Sequence, residues 1–316
     1  MKTNSPADQP TGRGFRSAPI MFALLVSALF AAGAWTAERD VARRQPSDRY
    51  EHSIVLRVPY GNGAAEVGLL PDGNDERARG PASFAINGES ILVLDSERER
   101  IVDFDRNGTV RRTVSGVRGV DIATNGSSTF VLDAASESVV RISSDGGRST
   151  VHGLPGDVLR LEKRGAVGYD FGGQFVSLEA DSRVSSQRLA SPAGDAVGEF
   201  DYTDIDQHTG TIRDRWTGVT LTVRTTENLG SMNVIGVDDA HNVFVAVEQL
   251  LDGGPGLSVS KEVRKFTPDG TLRAVIPINI DYAAHPVREF VVTSDGTLYH
   301  LLPLKNVLLV EEWRER

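Results

Sequence analysis

From Phe84 to Gly108 the apolar positions come in short bursts separated by turn residues. Ser83–Ile86 leans apolar, and Asn87-Gly88 supplies a turn that tolerates positive φ. Ile91–Leu94 is an unbroken apolar run of four residues, too short for a helix and rich in β-formers, which predicts a strand covered on both faces. Arg100 to Phe104 alternates, with Val102 and Phe104 on one face and Ile101 and Asp103 on the other. Asn107-Gly108 turns the chain again, and Thr109–Val114, β-branched with arginines, predicts a fourth strand at a wet edge. Apolar residues at the helical spacing i, i+3, i+4 are missing throughout.

The same pattern returns 38 residues later without a gap, on Ile122 to Gly146, with 10 of 25 positions identical. These include Asn87, Gly88, Ser90, Val93, Leu94, Asp95, Glu99 and Gly108. A tandem unit of roughly 40 residues with four short antiparallel strands predicts a β-propeller blade. Weaker copies follow. Val158–Lys163, Ala166–Asp170 and Gln174–Glu179 predict three short strands of a third unit, and Val197 to Val223 a fourth. The fifth regains the pattern at Val234–Val237, Val243–Val247 and the stretch from Val263, with a glycine-rich insertion at Leu250 to Ser260 that predicts a loop on one rim. The sixth runs from Glu289 to Val310. Starts near 84, 122, 159, 202, 235 and 290 are spaced by about 41 residues on average, which predicts six blades, or seven if the insertion hides one. His52–Pro59 stands outside this frame and is expected to pair with the C-terminal unit, closing the ring.

Two features ahead of the repeats change the picture. Residues 18–37 carry no charge and follow a leader, residues 1–17, containing Lys2, Arg13 and Arg16. This segment is long enough to span a bilayer as a hydrophobic helix, while its dense apolar part, Ile20 to Ala32, has the length of a signal peptide. Two readings stay open: a retained signal anchor with the basic leader in the cytoplasm, or a signal cleaved near Ala32-Gly33-Ala34. Either exports residues 52–316, held to the membrane in one case and released to the periplasm or medium in the other. Residues 38–51, with Pro46 among charged side chains, read as a tether. The net charge is −9, and the first 37 residues contribute +2, so the remainder carries −11. A surface that negative repels phosphate backbones and argues against nucleic-acid partners. The chain has no cysteine, which removes disulfides, thiolate metal sites and thiol nucleophiles from consideration.

Pro81, Ile91–Asp95, Arg100-Ile101 and Asn107-Gly108 give the unit a resemblance to NHL-type repeats of six-bladed propellers. The second copy keeps Gly119, Asp133, Val139 and Asp145-Gly146, with Ser138 where that pattern has arginine. The resemblance implies an all-β six-bladed ring. Its wider superfamily holds gluconolactonase-like and streptogramin-lyase-like enzymes as well as propellers that only bind, so it leaves function open.

Candidate chemistry is sparse. Asp103-Phe-Asp105-Arg-Asn107-Gly108 copies the opening of a calcium loop, but its twelfth position is Val114, so a hairpin turn is expected. Gly61-Asn62-Gly63 lacks the strand, helix and lysine of a phosphate loop and is expected to be plain loop. Asp95 and Asp133 recur at equivalent places and are expected to cap the turns that follow. Asp204, Asp206 and His208 alternate, as on one strand face, and read either as a cation site or, more simply, as a solvated outer strand. The six histidines show no metal-ligand spacing, although His241, His285 and His300 could meet at a ring axis. No catalytic, cofactor or metal residue is assigned. The sequence therefore supports an exported propeller acting as a binding or scaffold module for an envelope protein or small ligand. The rival reading is a metal-dependent hydrolase or lyase working at the central channel.

Overall fold

The computed structural model describes residues 49–71, 78–152, 167–169, 175–177, 200–215, 217–251 and 258–316. The apolar segment 18–37 lies outside them. Among the described residues no helix is long and apolar enough to cross a membrane, a statement that does not bear on β-barrels.

The chain is a six-bladed β-propeller, all β but for one short 3-10 turn at Ser96–Arg98 among the described residues. Blade 1 comprises β2 (Ser83–Asn87), β3 (Ser90–Asp95), β4 (Arg100–Asp105) and β5 (Val110–Ser115). Blade 2 comprises β6 (Asp121–Thr124), β7 (Ser128–Asp133), β8 (Ser138–Ser143) and β9 (Arg148–His152). Blade 3 shows β10 (Val167–Tyr169) paired with β11 (Phe175–Ser177), and blade 4 shows β12 (Phe200–Asp206), β13 (Thr209–Asp214) and β14 (Thr220–Arg224). Blade 5 has β15 (Asn228–Val237), β16 (Val243–Leu251), β17 (Ser258–Phe266) and β18 (Leu272–Ile278). In blade 6, β19 (Phe290–Val292), β20 (Leu298–Pro303) and β21 (Val307–Glu315) are completed by β1 (Tyr50–Pro59), antiparallel to β21. The ring is closed by the N-terminal strand, as expected, and that strand starts two residues earlier than the sequence suggested because Tyr50 is buried in the core. The expected strand at 158–163 lies outside the described residues.

The core lies between the blades. One strand can bury both faces because its alternate residues enter different seams. In β3, Ile91 and Val93 join Leu56, Val58, Leu301 and Val310 of blade 6, while Leu92 and Leu94 join Ile122, Val131 and Ile142 of blade 2. In β4 the two faces part the same way, with Val102 and Phe104 toward blade 6 and Ile101 toward blade 2. Blades 4 and 5 share a cluster around Ile212, Val223, Val245 and Phe266, and blades 5 and 6 share one around Phe244, Ile276, Phe290 and Trp313. The fourth strand of blade 1 is largely exposed, as its arginines require.

The glycine-rich insertion is corrected. Leu250 pairs with Val259 and Leu251 with Ser258, so β16 and β17 continue into it as a lengthened hairpin. Nothing like a seventh blade fits within that segment. Turns follow the repeated Asp/Asn-Gly signature: Gly108 and Gly270 have φ of 79° and 86°. A Cβ at position 270 would lie 3.0 Å from the carbonyl oxygen of Thr220, so glycine is needed there for space as well as for dihedral.

Leu56 joins the closing strand to the seam between blades 6 and 1 and is fully buried. Leu56→Ala is expected to lower stability by about 2–5 kcal/mol. Urea denaturation checks this; a loss below about 1 kcal/mol would mean that β1 is not part of the cooperative ring.

Candidate functional site

A dense set of ionisable side chains lies at the seam between blades 5 and 6. Its scaffold is the segment between β18 and β19, residues 279–289, held by backbone bonds at both ends. The Ala283 amide donates to the Pro303 carbonyl (2.7 Å), and the Val287 amide donates to the Ala82 carbonyl of blade 1 (2.6 Å). So pinned, the segment presents Tyr282 and Glu289 to His300 on β20. His300 is completely buried, stacked on Phe290 with ring centroids 5.0 Å apart.

A continuous polar chain results. The Ser231 hydroxyl donates to Glu248 (3.0 Å), and Lys261 Nζ bridges Glu248 and Glu289, 2.8 Å from each. The Tyr282 hydroxyl donates to Glu289 and lies 2.7 Å from His300 Nε2. His300 Nδ1 meets Glu311 at 3.0 Å, and His52 Nε2 of the closing strand lies 3.3 Å from the other oxygen of Glu311. His52 also stacks on Trp313, 4.7 Å between centroids. With its proton on Glu289, the Tyr282 hydroxyl can accept from His300 only where Nε2 carries hydrogen.

The charges are matched. Burial opposes ionisation of Glu289, yet neighbouring His300 and Lys261 outweigh it and pull its carboxyl down to about 2. Burial likewise disfavours the ionised Glu311, and His300 more than offsets this, so its carboxyl is also lowered. Desolvation works against the Lys261 ammonium, but Glu248 and Glu289 raise it overall. Burial, then the Glu289 charge, push the Tyr282 hydroxyl upward. Ionised acids, a charged lysine and a protonated tyrosine make a strong tie across the seam. None of these four groups is tuned toward neutrality, where a general acid or base would work.

Arg288, the neighbour of Glu289, ties the other side of the ring. Its guanidinium forms a two-pronged pair with buried Asp121 of blade 2, Nε to Oδ1 at 2.8 Å and Nη2 to Oδ2 at 2.6 Å. Ser83 Oγ of blade 1 donates to the same carboxylate (2.6 Å) and accepts from the Ile122 amide (3.2 Å). Three consecutive blades are joined at one carboxylate.

The residues singled out in the sequence fall as follows. Asp105 Oδ1 accepts from the amides of Asn107 and Thr109, both at 2.8 Å, so the calcium-like stretch is a hairpin turn. Gly61 to Gly63 is loop, closed by a bond from the Gly63 amide to Glu66. Asp133 caps the turn after it, accepting from the amides of Ala135 and Ser136. Asp95 does not: its carboxylate accepts from the Gly68 amide (3.0 Å) and pairs with Arg100 (2.9 Å), clamping the N-terminal loop to blade 1. Asp204 and Asp206 are exposed at the end of β12 and do not share a face with His208, because a bulge lies between the two acids and His208 sits in the turn. There Asp206 caps the His208 amide, and His208 Nδ1 meets the Glu227 carbonyl. His285 and His300 flank Tyr282, at 5.1 and 5.8 Å between centroids, whereas His241 occupies the β15–β16 turn at φ 60°. Among the described residues no three His, Asp or Glu side chains are placed to hold a metal ion.

Sequence reasoning missed Glu248, Lys261, Tyr282, Glu289 and Glu311. The one available signal was Glu311-Glu312 inside the apolar run from Val307 to Trp313, acids where a core strand has no reason to place them.

No protein-family model matches the chain, and no curated protein matches it. Among solved structures, a member of the DUF4221 family from Bacteroides vulgatus is similar over 85% of this chain and 99% of its own, with TM-score 0.51 and 10% identity. A putative exported protein from Bacteroides fragilis is similar over 85% and 96%, with TM-score 0.46 and 11% identity. Virginiamycin B lyase from Staphylococcus aureus is similar over 83% and 99%, with TM-score 0.43 and 8% identity. At these identities the likeness concerns the fold alone.

Two outcomes follow. Glu289 has a folded-state pKa below its unfolded value of about 4.5. Its stabilisation is therefore complete above about pH 4.5 and is lost as pH falls toward about 2, an effect on the order of 3 kcal/mol at most. Glu289→Gln should flatten the stability profile across that interval in urea titrations at stepped pH; an unchanged profile would remove Glu289 from the tie. Arg288→Met strips the guanidinium from buried Asp121 and should cost about 3–5 kcal/mol, because a buried carboxylate loses its opposite charge.

Proposed function

We propose that this chain is an exported β-propeller serving as a binding or scaffold module in the cell envelope, held at the membrane by residues 18–37. The observation that supports this reading is where the buried charges go. Asp95, Asp121, Asp238, Glu289 and Glu311 are each engaged by basic side chains of the protein itself. Asp121 and Glu289 meet theirs across a blade boundary. Such groups stiffen a ring and are not presented to a substrate. A rigid ring whose charges are spent internally suits docking, where a preorganised surface lowers the entropic cost of association. β1, the strand that closes the ring, is the outer strand of blade 6. The partner is an envelope protein or a small ligand, and the acidic surface of residues 38–316 disfavours nucleic acid.

Two measurements test the reading. Full-length protein expressed with its N-terminus intact should fractionate with membranes and resist extraction by high salt; recovery in the cytosol would overturn export. The same protein should show no change in melting temperature with divalent cations. A stabilisation of about 2.7 kcal/mol at a hundredfold excess over Kd is what linkage gives for a single true site, and finding it would favour the metal-dependent enzyme instead.

A further inference from the structure

Away from the blade 5–6 seam, a cavity of about 240 Å³ opens between blades 1 and 2, beside the hairpins that join β2 to β3, β6 to β7 and β8 to β9. Its floor is apolar, from Leu92, Ile101, Val114 and Ile142. Its walls carry Asp103, Arg112 and the side chains of Ser127, Ser128, Thr129 and Ser143. Two facts about the charged pair are unusual. Among the described residues, Asp103 Oδ1 is buried without a hydrogen-bond partner. Arg112 stands directly opposite Asp103 in the β4–β5 register, yet spends Nη1 on the Ser144 carbonyl at 3.1 Å and makes no ion pair with it. A buried carboxylate oxygen with no donor is costly, and a guanidinium held beside it on a separate anchor leaves the two charges apart.

We propose that this cavity binds a small zwitterion of the α-amino acid class with a short apolar side chain. The ammonium group would meet the carboxylate of Asp103, the ligand carboxylate would meet Arg112, and the side chain would lie on Leu92, Ile101 and Ile142. Opposite charges on one ligand match the separated pair, and neither a simple amine nor a simple acid satisfies both. The volume is below the range of pockets for drug-sized molecules, which sets the size class. This names a small ligand for the binding module and rests on that reading only for where the ligand is met.

The test is isothermal titration of the full chain with L-leucine, with 3-methylbutan-1-amine (the same molecule without its carboxylate), and with 4-methylpentanoate (without its ammonium). Saturable binding of leucine is expected, at least tenfold tighter than either analogue. Asp103→Asn, nearly isosteric, and Arg112→Gln, on the exposed outer strand, should each weaken leucine at least tenfold. Should Asp103→Asn fail to fold, Arg112→Gln alone decides. No leucine binding at millimolar concentration, equal binding of the amine, or full affinity in the folded variants would overturn the proposal. Any of these leaves the fractionation and cation results untouched, so the two readings fail separately.

Discussion

The structure depends on burial at the seams. β3, β4 and β16 each direct alternate residues to two different neighbouring sheets, so these strands build their core with their neighbours. Ile91 and Val93 face one neighbour and Leu92 and Leu94 the other, from a single run of four residues. Burying apolar side chains on both faces gives the largest favourable term available, but only when both neighbours are in place. Stability is therefore a property of the ring, and the ring needs a closure. β1 provides it with a strand remote in sequence from its partner β21, contributing Leu56 and Val58 to the seam with blade 1.

Polar ties sit on this apolar frame. Arg288 and Ser83 share the carboxylate of Asp121, and Lys265 pairs with Asp238 and Glu315 while lying 5.1 Å from the Phe244 ring centroid. Buried ion pairs of this kind give little net stability against an apolar replacement, since desolvation cancels much of the attraction. What they supply is penalty for error: a blade displaced by one residue would leave a buried charge alone. In stacked sheets that otherwise meet through interchangeable valines and leucines, such pairs fix the register between neighbours.

The same arrangement sets the charge state of the seam. Glu289 and Lys261 are shifted toward their charged forms by one another, and Glu311 by His300, which suits cohesion and not proton transfer near neutral pH. Asp103 and Arg112 differ from them, being neighbours in register that do not pair. That contrast separates groups holding the ring from groups with capacity left for a ligand.

Six blades rather than seven came only with the lengthened β16–β17 hairpin, while the amino-acid sequence by itself determined the repeat, the turns and the closing strand. Each of these depends on local preference or period: Asn-Gly and Asp-Gly at the hairpins, runs of four apolar residues, and alternation along β4. Asp105 and Asp133 were legible as turn formers because their partners lie two to four residues on. Only the tertiary structure decided what Asp95, Asp121 and Glu289 do. Their partners stand 27, 167 and 28 residues away, at Gly68, Arg288 and Lys261. Hydrogen bonds and ion pairs leave no periodic trace along a chain, so a carboxylate that ties blades together reads like any other until closure of the ring brings its partner to it.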